Sequence, residues 1–557
     1  MLFAKYRDPK VIEKIKTDPF YAPFLEEVVF LYNDLCTTPL PALQYSKFML
    51  FFRTGSRKEY ERMFFQRRGR IDALFMRYLL YGREQDLRDL EDVIWAICDE
   101  YTWALPAHLT LEMTEDEKRT YIDLFAGETA QILAEVYTVL GEELSEQIRR
   151  RVEYEMERRI FSSFEDTQFF WEKAPMNWAA VCAGCVGMAF ICMAPERFAG
   201  VRPRIFDAMD YFLSSYGDDG ACQEGIGYWN YGFGYYVYFA QLLYEFDGTD
   251  LLHTEKVQKI VLFQQNAILR NDTVISFSDA GRTMRFQAGL TYFLKKLYPD
   301  TFQIPDMQYR SNMLQERGAY RFAAFTRLFF WTEPGYETGV MPNGMIYYGD
   351  AQWYVNKKKA YSFAAKGGHN DEPHNHNDLG SFIIATDAGQ CLADIGCGEY
   401  TRDYFREKRY TYLCNASAGH SVPLIDGQEQ LAGREHAAKV LEHGEQVFEI
   451  SFEKGYGIDA LTALRRRFEL AEDGVIMRDS YQFDDGNAHQ ITERFIALIE
   501  PQETAAGVLV GDVLLVCKEK PAVNKIIIKD HNAEDLAVYQ IDYAAGTEFE
   551  IQFQIRG

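Results

Sequence analysis

The sequence predicts an α domain followed by an antiparallel β-sandwich, and three observations lead there. Up to about residue 310, apolar residues recur at spacings of three and four, the period of an amphipathic helix. Beyond that point short β-rich stretches are separated by Gly, Asp and Asn turns. The two textures follow one another instead of alternating, which argues against a doubly wound α/β sheet. A chain of 557 residues exceeds what one hydrophobic core usually organises. The expected division is therefore 1–310 and 311–557, with the boundary itself between 305 and 320.

Taken in order, Leu87, Leu90, Val93, Ile94 and Ile97 share one helix face, as do Leu144, Ile148, Val152, Met156 and Ile160. Breakers at Leu105-Pro106, Ala174-Pro175 and Ala194-Pro195 punctuate the helices. The uncharged run Trp178 to Ala194 is shorter than the roughly 20 residues a bilayer requires and reads as a buried helix. Within it, Cys182-x-x-Cys185 imitates a redox motif but reads as core. After the boundary, AYRFAAFTRLFFWTE, KVLEHGEQVFEISFE, ALRRRFELAEDGVIMRDSYQF and DVLLVCKE read as strands, with Arg465, Arg466 and Arg467 a charge cluster at a strand edge.

Composition excludes several classes. With 47% hydrophobic and 25% charged residues, the chain has too many core-formers for disorder. Its formal charge of -24 disfavours broad nucleic-acid binding and adhesion to an anionic membrane. The 10 cysteines are scattered through apolar contexts and read as reduced, buried thiols. The first twenty residues contain no apolar core of a signal peptide, so a cytoplasmic protein is expected, or a secreted or periplasmic one if a leader has been removed.

The densest chemistry lies between Gly368 and Phe382, which holds His369, His374 and His376 together with five Asn or Asp side chains. On an extended segment His374 and His376 point to one face. With Asp394 and His420, His376 supplies two imidazoles and a carboxylate, a ligand set suited to zinc with a fourth position for water. A hydrogen-bonded His–Asp pair in a β core is the competing reading. A second cluster, Asp219 to Tyr236, mixes glycines with aromatics, as in a loop that presents Tyr side chains to a sugar. Packing of an aromatic helix start in the core explains it equally well. Asn177 stands at the start of the buried helix, where an N-cap is the simple reading.

These segments, HNDEPHNHNDLGSF, Asp394, the GHSVPLIDGQEQ stretch and DGACQEGIGYWNYGFGYY, together resemble the heparinase II/III type of polysaccharide lyase, in matching order from about Trp95 to Arg478. The resemblance implies an incomplete (α/α) toroid followed by an antiparallel β-sandwich. It implies cleavage of glycosaminoglycan-type uronic-acid glycans (hyaluronan, chondroitin, heparan-like) by β-elimination, leaving an unsaturated uronate end. Asn177 then neutralises the uronate carboxylate, and Tyr231 and His374 share the base and acid roles. Tyr228, one helical turn earlier, is the rival for the Tyr231 role.

By the same resemblance His376, Asp394 and His420 hold a zinc ion, largely structural because elimination consumes no water. Gln223, Glu224, His369, Asn375, Arg409 and Tyr410 contact substrate, and Trp103 and His108, in a stretch that resembles the cleft-side helix pair of the toroid, contact sugar, with buried aromatic packing the competing reading. The expected partner is an acidic oligo- or polysaccharide, imported oligosaccharides if the protein is cytoplasmic, and oligomeric state is left open. Alginate is an alternative substrate. Two other classes stay in view: a glycoside hydrolase, for which Asp219 and Glu224 are the local carboxylate pair, and a non-catalytic glycan-binding sensor.

Overall fold

The computed structural model describes residues 2–314 and 320–556. Residues 315–319, where part of the expected domain boundary and the start of the AYRFAAF stretch fall, lie outside the described residues. The chain divides into two compact units, each assembled from three segments. The first comprises Met1–Ser215, Asn230–Thr254 and Arg285–Thr338; the second comprises Tyr216–Trp229, Glu255–Met284 and Gly339–Gly557. The units thus depart from a single cut at 310. Two pieces of the helical half of the sequence belong with the sheets, and the last passage comes at Thr338.

The first unit is helical. Its centre is the helix Asn177–Met193, which packs against the helices Leu124–Leu140, Pro195–Ser214 and Gly234–Asp247. With no charge in it and apolar residues all round, that helix can only be interior, and Cys182 and Cys185 are both 0% exposed. The predicted amphipathic helices are present as Glu84–Cys98 and Glu146–Met156, the second continuing into a wide helical turn, Glu157–Phe161. Asn177 does not cap its helix. It is the first helical residue, Met176 occupies the cap position, and the Met176 side chain makes no capping hydrogen bond.

Phe322–Phe330, expected as a strand, is a helix. Its aromatic content suggests β, but Phe322, Phe325 and Phe329 recur at the helical period and are all buried. Arg327 on the same helix is drawn inside by Glu135, at 2.8 Å.

The second unit is built of antiparallel sheets. A five-stranded sheet (344–392), an eight-stranded sheet (439–555) and a four-stranded sheet (424–545) share one apolar core. Phe363 and Phe382 come from the first, Phe448, Phe468 and Phe553 from the second, Phe495 and Ile541 from the third. Inner faces from different sheets interdigitate in this way in a β-sandwich. The hairpin Leu461–Ala471 with Gly474–Phe483 follows the predicted alternation. Its arginines, however, are not at an edge, since Leu461–Ala471 is paired on both sides. Arg466 is 0% exposed and is drawn in by Asp479 at 2.6 Å and Glu493 at 3.0 Å, whereas Arg467 pairs outward with Glu442 and Glu449. Before residue 310 the strands Ile268–Arg270 and Thr273–Val274 form a small hairpin that the sequence reading missed. No helix among the described residues is long and apolar enough to cross a membrane.

Candidate active site

In the second unit, the histidine-rich loop connects the strands Ser362–Lys366 and Phe382–Thr386. It brings His376 to Asp394 and His420. All three are 0% exposed, and one ligand atom from each lies within 4.8 Å of the others. The hydrogen-bond pattern tests whether they fit a metal. His420 Nε2 faces the Cys414 carbonyl at 2.9 Å and must donate to it, so Nδ1 turns a lone pair toward Asp394 Oδ2 at 3.2 Å. Two acceptors face each other unless a proton or a cation lies between them. Burial works against charge on His420, yet Asp394 overrides it and raises the imidazole pKa.

His376 Nε2 lies 3.1 Å from Asp279 Oδ1, while its Nδ1 is buried without a hydrogen-bond partner. Such an atom costs about 1–3 kcal/mol unless it is ligated. Burial lowers the His376 pKa, which keeps the ring neutral, the form that ligates. The group can therefore hold a metal ion through two imidazole nitrogens and a carboxylate. Beside it Lys366, also 0% exposed, lies 2.6 Å from Asp378 and 3.7 Å from Glu372. Burial pushes Glu372 up to about 7.

His374, two residues earlier, adopts a left-handed backbone (φ +58°), a conformation that costs a non-glycine residue about 1–3 kcal/mol and persists only when its surroundings impose it. Here Asp279 does so, its Oδ2 lying 2.6 Å from His374 Nδ1. The other nitrogen, Nε2, lies 3.9 Å from Glu224 Oε1, and the His374 ring lies 4.3 Å from that of Tyr228. Tyr228 in turn shares a hydrogen bond of 2.9 Å with Tyr400. The loop carrying Glu224 and Tyr228 reaches this position through Gly225 (φ +102°), whose added Cβ would stand 2.7 Å from that of Ala280. A side chain at 225 would push Glu224 and Tyr228 away from the turn that carries Asp279 and Ala280.

In the first unit, Asn177 is 3% exposed and lies against Gly232, where an added Cβ would come within 3.0 Å of the Asn177 Cβ. Glycine at 232 thus brings the wide helical turn Trp229–Phe233, which carries Tyr231, against the amide. The Tyr231 hydroxyl donates to Glu128, Arg321 donates to the same carboxylate oxygen, and the Arg321 guanidinium lies 4.2 Å from the Tyr231 ring centroid. Burial raises the Tyr231 pKa well above its usual value; Arg321 lowers it and Glu128 raises it further. The hydroxyl keeps its proton.

The remaining expected residues fall in several places. His108 lies 2.6 Å from Asp123, which also caps the helix Leu124–Leu140, and its ring meets Trp178 edge-on at 4.7 Å. Trp103 is 1% exposed and donates to the Ile97 carbonyl; it is core, and the expected sugar contact is corrected. Arg409 bridges Asp279 and the Asn375 carbonyl, and the Asn375 amide donates to Tyr410. His369 accepts from the Asp371 amide, with its pKa lowered by burial. Gln223 is half-buried. Asp219, one of the hydrolase pair, spends its carboxylate on the backbone amides of Ala221, Asp350 and Ala351. Asp279, Glu128, Arg321, Tyr400 and Tyr404 were not found in the sequence reading.

A helical unit bearing Asn177 and Tyr231, and a sandwich bearing the histidine loop, define the class of fold: an (α/α) toroid followed by an antiparallel β-sandwich. Solved structures of that class resemble the chain over nearly its whole length. Heparinase III gives a TM-score of 0.63 at 13% identity, covering 99% of this chain and 94% of that one. A mutant of a heparan sulfate lyase from Pedobacter heparinus gives 0.61 at 13% identity, covering 98% and 91%. The chondroitin AC lyase of Streptomyces coelicolor A3, in complex with chondroitin sulphate, gives 0.51 at 11% identity, covering 98% and 82%. No protein-family model matches the sequence, and no curated protein matches it. The chain has the fold of heparinase III, as the resemblance implies.

Proposed function

We propose that the chain is a polysaccharide lyase that cleaves glycosaminoglycan-type uronic-acid glycans by β-elimination. The observation that carries the reading is Tyr231, a hydroxyl kept protonated by burial, anchored by Glu128 and Arg321, in a turn packed against the Asn177 amide. Full-length likeness to heparan sulfate and chondroitin lyases supports it.

Elimination needs three things from a protein. The uronate carboxylate must be neutralised so that the adjacent C5 proton becomes acidic, a base must take that proton, and an acid must protonate the departing O4. In this proposal the Asn177 amide donates to the carboxylate and His374 removes the C5 proton. The electron pair forms the C4–C5 double bond as the C4–O4 bond breaks, and Tyr231 returns a proton to O4. A neutral Tyr suits the last step, because an unperturbed phenol, at about pKa 10, is already a donor at neutral pH. His376, Asp394 and His420 would hold zinc, which supplies positive charge and fixes the loop bearing His374.

The test is ultraviolet absorbance during incubation with hyaluronan, chondroitin sulfates, heparan sulfate and alginate, as polymers and oligosaccharides. An unsaturated-uronate signal is expected, falling about 10²-fold or more in Tyr231→Phe and in His374→Ala. New reducing ends without absorbance, or binding without product, would sink the reading.

A further inference from the structure

Asp279 lies outside every motif legible in the sequence, yet it joins both halves of the histidine loop. Its side chain is 0% exposed, and a carboxylate taken out of water must have its lone pairs satisfied. Four donors do this. His374 Nδ1 and Arg409 Nη2 approach Oδ2 at 2.6 and 3.2 Å. His376 Nε2 approaches Oδ1 at 3.1 Å, and the Tyr404 hydroxyl donates to the same atom. With two donors on each oxygen, the carboxylate is an acceptor at both.

An ionised carboxylate only accepts, so each imidazole nitrogen facing it must carry a hydrogen. For two rings two residues apart, the consequence is opposite. A hydrogen on Nδ1 of His374 leaves Nε2 as the free nitrogen of the neutral ring. A hydrogen on Nε2 of His376 leaves Nδ1 free, the very atom that is buried without a hydrogen-bond partner. The backbone turns at both ends of the contact, Ser278 at φ +62° and His374 at φ +58°, are left-handed without being glycine. Such turns hold only where the surroundings specify them.

We propose that Asp279 is a positioning residue that fixes opposite tautomers on His374 and His376, so that one carboxylate aims a free Nε2 outward as a base and a free Nδ1 inward as a metal ligand. The role of Nε2 as a base rests on the lyase reading; the pair of tautomers does not. Glu224, 3.9 Å from His374 Nε2, and the Tyr228 ring are the groups that flank the free nitrogen. If Glu224 instead held a second proton on the ring, His374 would be an imidazolium and the proposal would fail.

The tautomers can be read directly from nitrogen-15 shifts of histidine-labelled full-length protein loaded with zinc, with His374 assigned by loss of its signals in His374→Ala. The expected spectrum shows His374 protonated at Nδ1 alone and His376 at Nε2 alone. A reversed or averaged His374 tautomer, or a doubly protonated ring at neutral pH, overturns the proposal. Asp279→Asn, compared with wild type at equal measured zinc content, should lose the single His374 tautomer. Its kcat should fall about 10²-fold or more with KM changed little, and Asp279→Glu should recover part of the loss. Full activity of Asp279→Asn once zinc is resupplied would show that Asp279 serves the metal alone, and would also overturn the proposal. If Asp279→Asn does not fold, the wild-type spectrum still decides. Fixed tautomers in a protein that makes no unsaturated product from any glycan would retire the lyase reading and leave the positioning role standing.

Discussion

At the scale of single residues, the Tyr231 hydroxyl and its two partners make the sharpest prediction. Glu128 accepts from both Tyr231 and Arg321, so removing Arg321 leaves a buried carboxylate with its neutralising charge gone. Arg321→Met should therefore lower turnover and cost about 3–5 kcal/mol of stability, whereas Tyr231→Phe should lower turnover with a much smaller loss. Parallel urea melts and rate assays separate the two. Equal stability losses would mean that Tyr231 is an ordinary core residue. The buried group that could hold a metal, His376, Asp394 and His420, was legible because His and Asp announce themselves by type. Asp279 was not, since a lone Asp in an apolar run such as TVISFSDAG has no local pattern to mark it. Its partners are about a hundred residues away and appear only when the chain is folded.

At the scale of elements, strand alternation was readable and the helix Phe322–Phe330 was not. Aromatic residues serve both structures, and only the spacing of Phe322, Phe325 and Phe329 distinguishes them. The hairpin arginines show a second limit: sequence adjacency hid opposite fates, with Arg466 sealed between Asp479 and Glu493 while Arg467 faces out. Arg466→Ala should destabilise by about 3–5 kcal/mol because two carboxylates lose their counter-charge. A triple replacement of Arg466, Asp479 and Glu493 by apolar residues of similar volume should recover most of that loss in the same denaturation assay.

A surface clip adds a pH-dependent term. His489 lies 2.7 Å from Asp426 and 3.1 Å from Asp485. Hydrogen bonds to these two carboxylates raise the His489 pKa, and hydrogen bonds from Asn487 and His489 lower Asp485 to about 2. The histidine contribution is complete below its unfolded pKa of about 6.5 and fades as pH rises through the raised folded value. The Asp485 contribution is present above about 3.9 and fades as pH falls toward 2. The Tm difference between wild type and His489→Ala should accordingly be largest from about pH 4 to 6.5 and shrink in alkali. A difference that is flat with pH would dismiss the clip.

For the molecule as a whole, the order of helices and then sheets was legible, and the true partition was not, because composition cannot reveal that 216–229 and 255–284 fold with the sheets. Chelation should expose the division of labour. Stripping metal leaves the buried Nδ1 of His376 unligated and Asp394 facing a lone pair, so the sandwich should melt earlier, with zinc restoring it. Calorimetry with and without chelator checks this. A Tm indifferent to chelator would argue that a proton, and not an ion, holds His420 to Asp394.

The interleaving also bears on how the protein is made. The chain passes between units after Ser215, Trp229, Thr254, Met284 and Thr338. On the ribosome, segments destined for the sandwich emerge while the first unit is still being completed, and they must wait for strands beginning at Gly344. Neither unit can finish as an independent product of vectorial synthesis. Fragments cut at 310 should be insoluble when expressed apart, and co-expression should rescue them only if the waiting segments survive proteolysis long enough to find their sheets.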